Sequence, residues 1–136
     1  MAQQPPRYRI SPEARDILDT GLLNRWYGIC PSRRVGDQPV AIKRWNRDLV
    51  LWRDRNGAVY LQDDRCPHRG APLSIARYDG DRLTCVYHGA EILGDGTVAS
   101  LPGEPGCDLV GQCAVKTYPV QEHRGVIYAW LGDEIG

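Results

Sequence analysis

From residue 22 onward the chain is written in short apolar runs, rich in β-branched and aromatic residues and broken by turn-forming pairs. Residues 40–45, 49–53 and 59–62 read as three strands joined through Asn46-Arg47 and Asn56-Gly57, a β-meander. Residues 63–72 hold too much proline and glycine for a regular element, residues 82–86 are a further strand, and a second irregular loop begins at His88-Gly89. A run over 97–101, a glycine- and proline-rich link over 102–111 and two closing strands, 114–121 and 126–131, complete the pattern. Strands at regular spacing with no helix between them predict an all-β fold, a small antiparallel sandwich or barrel. Ahead of it a short helix is predicted over 11–19: Ser11 stands as N-cap, Pro12 at the first helical position, and Gly21 just past the end. Residues 1–24 therefore read as an N-terminal extension, and 25–136 as the domain proper.

Composition narrows the class. The 136 residues are 42% hydrophobic and 25% charged, enough apolar material for one ordinary domain, for which one core is expected. Seventeen basic and seventeen acidic residues cancel, so no net positive field recruits nucleic acid or an anionic membrane surface. No uncharged stretch approaches the roughly 20 apolar residues that cross a bilayer, and Met1-Ala2-Gln3-Gln4-Pro5-Pro6 lacks the basic-then-apolar build of a signal peptide. A cytoplasmic protein is expected. Five cysteines, an odd number where disulfides are rare, favour metal binding over a disulfide framework.

The chemistry gathers in the two irregular loops. Cys66-Pro67-His68-Arg69-Gly70-Ala71-Pro72 and Cys85-Val86-Tyr87-His88-Gly89 each offer one thiolate and one imidazole, spaced C-x-H and C-x-x-H, with sixteen residues between His68 and Cys85. Four soft or borderline ligands in two matched pairs make a metal site. A [2Fe–2S] centre of mixed ligation needs two sulfur ligands on one iron and two nitrogen ligands on the other, and two loops giving one of each meet that demand. A structural zinc ion also takes two cysteines and two histidines. Its ligand pairs are usually spaced two to five residues apart, however, and the single-residue gap of the first loop is awkward for two ligands on one ion.

The two loops resemble the Rieske motif, and the similarity runs from about Trp26 to Gly132. The resemblance implies that Cys66 and Cys85 hold the inner iron and His68 and His88 the outer one, with both imidazole edges near the surface. High-potential respiratory Rieske proteins carry an extra cysteine in each loop, joined by a disulfide; Ala71 and Tyr87 stand there in this chain. They also place a serine and a tyrosine after the second loop, donors that stabilise the reduced cluster, where this chain has Ala90 and Ile92. The expected potential therefore lies near the low end of the roughly −150 to +300 mV Rieske span.

Low-potential members are small ferredoxins or the N-terminal domains of ring-hydroxylating oxygenases. Asn24-Arg25-Trp26-Tyr27-Gly28-Ile29 and Val126-Ile127-Tyr128-Ala129-Trp130-Leu131-Gly132-Asp133 are similar to the segments that open and close the oxygenase domain, although Ala90-Glu91 departs from the aromatic residue common after its Tyr-His-Gly. The resemblance implies a one-electron relay, with a reductase or ferredoxin as donor and a catalytic non-haem iron on another domain or chain as acceptor. A self-contained Rieske ferredoxin is the alternative, and a zinc-binding module the remoter one. Of the three histidines only His123 is left outside the cluster, too few for a second iron held by two histidines and a carboxylate. His123 reads as an exposed turn residue, and Cys30, Cys107 and Cys113 as ordinary thiols, Cys30 buried.

Overall fold

The computed structural model describes residues 11–13, 23–86, 88–104 and 106–132. Among them are eleven strands: β1 (Arg25–Pro31), β2 (Val40–Arg44), β3 (Arg47–Arg53), β4 (Val59–Asp63), β5 (Arg77–Tyr78), β6 (Arg82–Thr84), β7 (Glu91–Leu93), β8 (Val98–Ser100), β9 (Thr117–Tyr118), β10 (Val120–His123) and β11 (Val126–Leu131). Two single 3-10 turns, Ser32–Arg34 and Leu73–Ile75, interrupt them. Pro12 and Glu13 are helical, and the rest of the helix predicted over 11–19 lies outside the described residues.

The strands form three antiparallel sheets in the orders β1-β11-β10, β2-β3-β4-β9 and β5-β6-β7-β8. The all-β antiparallel architecture is the one the sequence predicts. The single core is not: there are two buried clusters, and β3 feeds both. In Leu49-Val50-Leu51-Trp52 every side chain is buried, because β3 lies between β2 and β4 with apolar partners on both of its faces. Leu49 and Leu51 pack with Ile29, Leu61, Tyr118 and Ile127, while Val50 and Trp52 pack with Leu73, Leu83, Ile92 and the thiols of Cys66 and Cys85.

One buried polar side chain ties the second of these layers together. Gln62, fully buried on β4, accepts from the Trp52 indole N–H at 3.0 Å and donates through Nε2 to the carbonyl of Leu93 on β7 at 2.9 Å. An amide can give and take at once, so it bridges the central sheet and the sheet that carries the second loop, answering an indole N–H of one and a backbone carbonyl of the other.

Three details differ from the sequence reading. The β2–β3 turn is Trp45-Asn46, one residue earlier than predicted, since Arg44 pairs with Arg47 and both turn residues take positive φ, 54° and 59°. A two-residue hairpin of this hand matches the strand twist, and Trp45 is held in its unfavourable conformation by packing against Tyr27 and Tyr118. The strand predicted over 114–121 is two short strands, broken at Pro119, which has no N–H for the ladder. β6 stops at Thr84, because the Cys85 N–H turns away from the ladder into the second loop.

Candidate metal centre

The two loops that carry the predicted ligands close in the same way. In the first, between β4 and β5, the Cys66 N–H donates to the Ala71 carbonyl at 2.7 Å; in the second, between β6 and β7, the Cys85 N–H donates to the Ala90 carbonyl at 2.7 Å. Each cysteine is thus pinned by an alanine five positions on, and both alanines are buried beside it. Gly70, at φ +77°, and His88 and Gly89, at +61° and +72°, supply the left-handed conformations that such tight returns need. Asp64 anchors the base of the first loop by accepting from the Ser74 N–H at 2.6 Å and its hydroxyl at 2.7 Å.

The loops bring the four predicted ligands into one region. Cys66 and Cys85 are buried, 1% and 3% exposed, in the same cluster. The His68 and His88 rings lie 5.1 Å apart between centroids and nearly perpendicular. His68 Nδ1 is buried and makes no hydrogen bond, a costly state for a polar nitrogen unless a metal answers it. Among the described residues, no three side chains of His, Cys, Asp or Glu converge as they would on one metal ion. Thiols in the interior and adjacent imidazoles fit a centre that takes sulfur on one iron and nitrogen on the other.

A third segment, read from the sequence only as a link, closes over the loops. The Gly103 N–H donates to the His88 carbonyl at 3.1 Å, and a Cβ at Gly103 would lie 2.8 Å from His88 Cβ. Next to it, Glu104 Oε2 accepts from His68 Nε2 at 3.1 Å, and Glu104 Oε1 lies 3.6 Å from Arg69 Nη2. The hydrogen bond from His68, aided by the Arg69 charge, holds the Glu104 carboxyl below its ordinary pKa. The density of Pro102-Gly103-Glu104-Pro105-Gly106 matches that of the ligand loops, and was the signal available for it.

The two imidazoles are not equivalent in exposure. His88 is exposed, whereas the His68 side chain is only 7% exposed and its outer nitrogen lies against Glu104. His123 is exposed as predicted, but as the last residue of β10, with Arg124-Gly125 making the turn. Cys30 is buried, Cys107 half-buried and Cys113 exposed; no disulfide forms among the described residues, which include all five cysteines.

Residues 25–119 match the family model of the Rieske [2Fe-2S] domain, and the chain belongs to that family. Its cofactor is accordingly a Rieske-type [2Fe–2S] cluster. The chain is 36% identical over 110 residues to the vanillate O-demethylase oxygenase subunit of a Pseudomonas species, covering 81% of this chain and 30% of that protein. It is 34% identical over 119 residues to the chloroplastic protein TIC 55 of Pisum sativum, covering 86% and 22% respectively. The terminal oxygenase of carbazole 1,9a-dioxygenase from Novosphingobium sp. KA1 superposes with a TM-score of 0.78 at 31% identity, covering 89% of this chain and 33% of that one. The chain thus spans a third or less of the length of these relatives. No helix among the described residues is long and apolar enough to cross a membrane.

Proposed function

We propose that this chain relays single electrons from a reductase or ferredoxin to a catalytic non-haem iron on another domain or chain of a ring-hydroxylating-type oxygenase. Cys66 and Cys85 would hold one iron and His68 and His88 the other; the cluster, when bound, supplies a one-electron couple. The observation that carries the reading is the buried, unanswered Nδ1 of His68 beside the ring of His88. Structures of an oxygenase in complex with its ferredoxin are among those this fold resembles, which supports a protein donor. Ala90 and Ile92 are buried and carry no donor groups, which supports a potential at the low end of the Rieske range. Such a potential suits reductive activation of oxygen better than quinol oxidation. Cysteines without disulfides accord with a reducing compartment, and we place the protein in the cytoplasm.

The test is the visible and EPR spectrum of the freshly purified protein before and after dithionite, with iron and acid-labile sulfide counted. Two irons, two sulfides and a reduced-state signal whose average g is lowered by nitrogen ligation are expected. A colourless protein carrying one zinc ion would end the electron-relay reading.

A further inference from the structure

We propose that Glu104 is the positioning residue of the centre: it fixes which nitrogen of His68 faces the iron and lowers the reduction potential by its charge. The inference rests on the electron-relay reading and adds to it a residue that lies in neither ligand loop.

An imidazole that binds a metal through one nitrogen generally donates the N–H of the other to an acceptor, which sets its tautomer and angle. At His68 both halves of that arrangement are present. Nε2 faces the Glu104 carboxylate at 3.1 Å, and a carboxylate there only accepts, so the proton sits on Nε2 and the lone pair on the buried, unpartnered Nδ1. Glu104 is itself held in place. Its N–H donates to the Leu101 carbonyl at 3.0 Å, its carbonyl accepts from Cys107 at 2.9 Å, and its second carboxylate oxygen lies near Arg69. Through Gly103, the preceding residue, the same segment is bonded to the backbone of His88. One short turn therefore registers both histidines against each other, while its carboxylate reaches His68 alone among the described histidines. A negative charge hydrogen-bonded to an iron ligand opposes arrival of an electron, so the cluster is harder to reduce with Glu104 than without it. This effect adds to the missing donors at Ala90 and Ile92 and has the same sign.

The experiment is a mediated redox titration at neutral pH, with EPR of the reduced state, on the cluster-loaded wild-type chain and on Glu104→Gln and Glu104→Asp. Glu104→Gln keeps an acceptor and removes the charge; at a fixed mediator potential it is expected to raise the reduced-to-oxidised ratio about tenfold, ~59 mV for one electron, and to shift the g values. Glu104→Asp keeps the charge but falls short of Nε2, and is expected to move the potential the same way by less. If Glu104→Gln fails to load the cluster, the aspartate variant alone decides. Wild-type potential and g values in the variants that load overturn the proposal and leave the electron-relay reading standing. Absence of a Rieske signal from the wild-type protein overturns both.

Discussion

At the residue scale, small groups placed against the loops set limits that the ligands alone do not. Gly103 is the sharpest case, because a methyl there would press on the Cβ, Cα and carbonyl oxygen of His88 at 2.8–3.1 Å, contacts that no side-chain rotation relieves. Gly103→Ala is expected to lower iron and sulfide per chain well below the wild-type ratio while far-ultraviolet circular dichroism stays unchanged. Full iron loading in the variant would show that the turn can give way. Tyr118 offers a pH signature. Burial first, and then its hydrogen bond to Asp63, push its hydroxyl from 10.0 up to about 12 against the lowering effect of Arg47. The folded state prefers the neutral phenol, so the stability contributed by Tyr118 is whole below pH 10.0 and is lost as pH rises through about 12. A spectrophotometric titration should lose a late-ionising tyrosine in Tyr118→Phe, with Tyr60, also raised by burial and Asp54, still shifted, and Tyr118→Phe should flatten the fall in melting temperature across that window.

At the element scale, the Gln62 bridge is where one side chain joins two sheets. Gln62→Leu leaves the Trp52 N–H buried without a partner and the Leu93 carbonyl with the Gly96 N–H as its remaining donor, a loss on the order of 1–3 kcal/mol, to be read from chemical denaturation. The meander β2–β3–β4 was legible because its runs, rich in β-branched and aromatic residues, are broken by turn pairs, and Gly57 takes the positive φ its turn requires. β1 and β7 were not read as strands: β1 carries a glycine and a register shift between Gly28 and Cys30, and three-residue β7 is shorter than any periodic signal. Pro119 splits the run over 114–121 in the way its missing N–H requires, and the positive-φ pair at Trp45-Asn46 escaped notice because tryptophan is a poor turn marker. At the centre, cysteine and histidine announce themselves by type and spacing. Glu104 and Gly103 do not, since a carboxylate or a glycine acquires a role only once the turn has been folded over the histidines.

At the scale of the whole molecule, the two clusters on either side of β3 divide stability from cofactor binding. Leu61 belongs to the cluster shared with β1 and β11, and Leu73 to the one that contains Cys66 and Cys85. Both are fully buried, so Leu→Ala at either is expected to cost about 2–5 kcal/mol. Leu61→Ala should leave the visible spectrum and iron content as they are, whereas Leu73→Ala should lose iron at denaturant concentrations where the fold persists. Equal spectral losses in the two variants would mean that the layers act as one. The four tryptophans extend this division to light and exchange. Trp52 shares the cofactor layer with Cys66 and Cys85, whereas Trp45 packs with the other layer. An iron–sulfur chromophore should dim the emission of Trp52 as it loads, and the indole proton given to Gln62 should exchange with deuterium only when the molecule unfolds globally. One ring thus serves as both a loading gauge and a clock of unfolding.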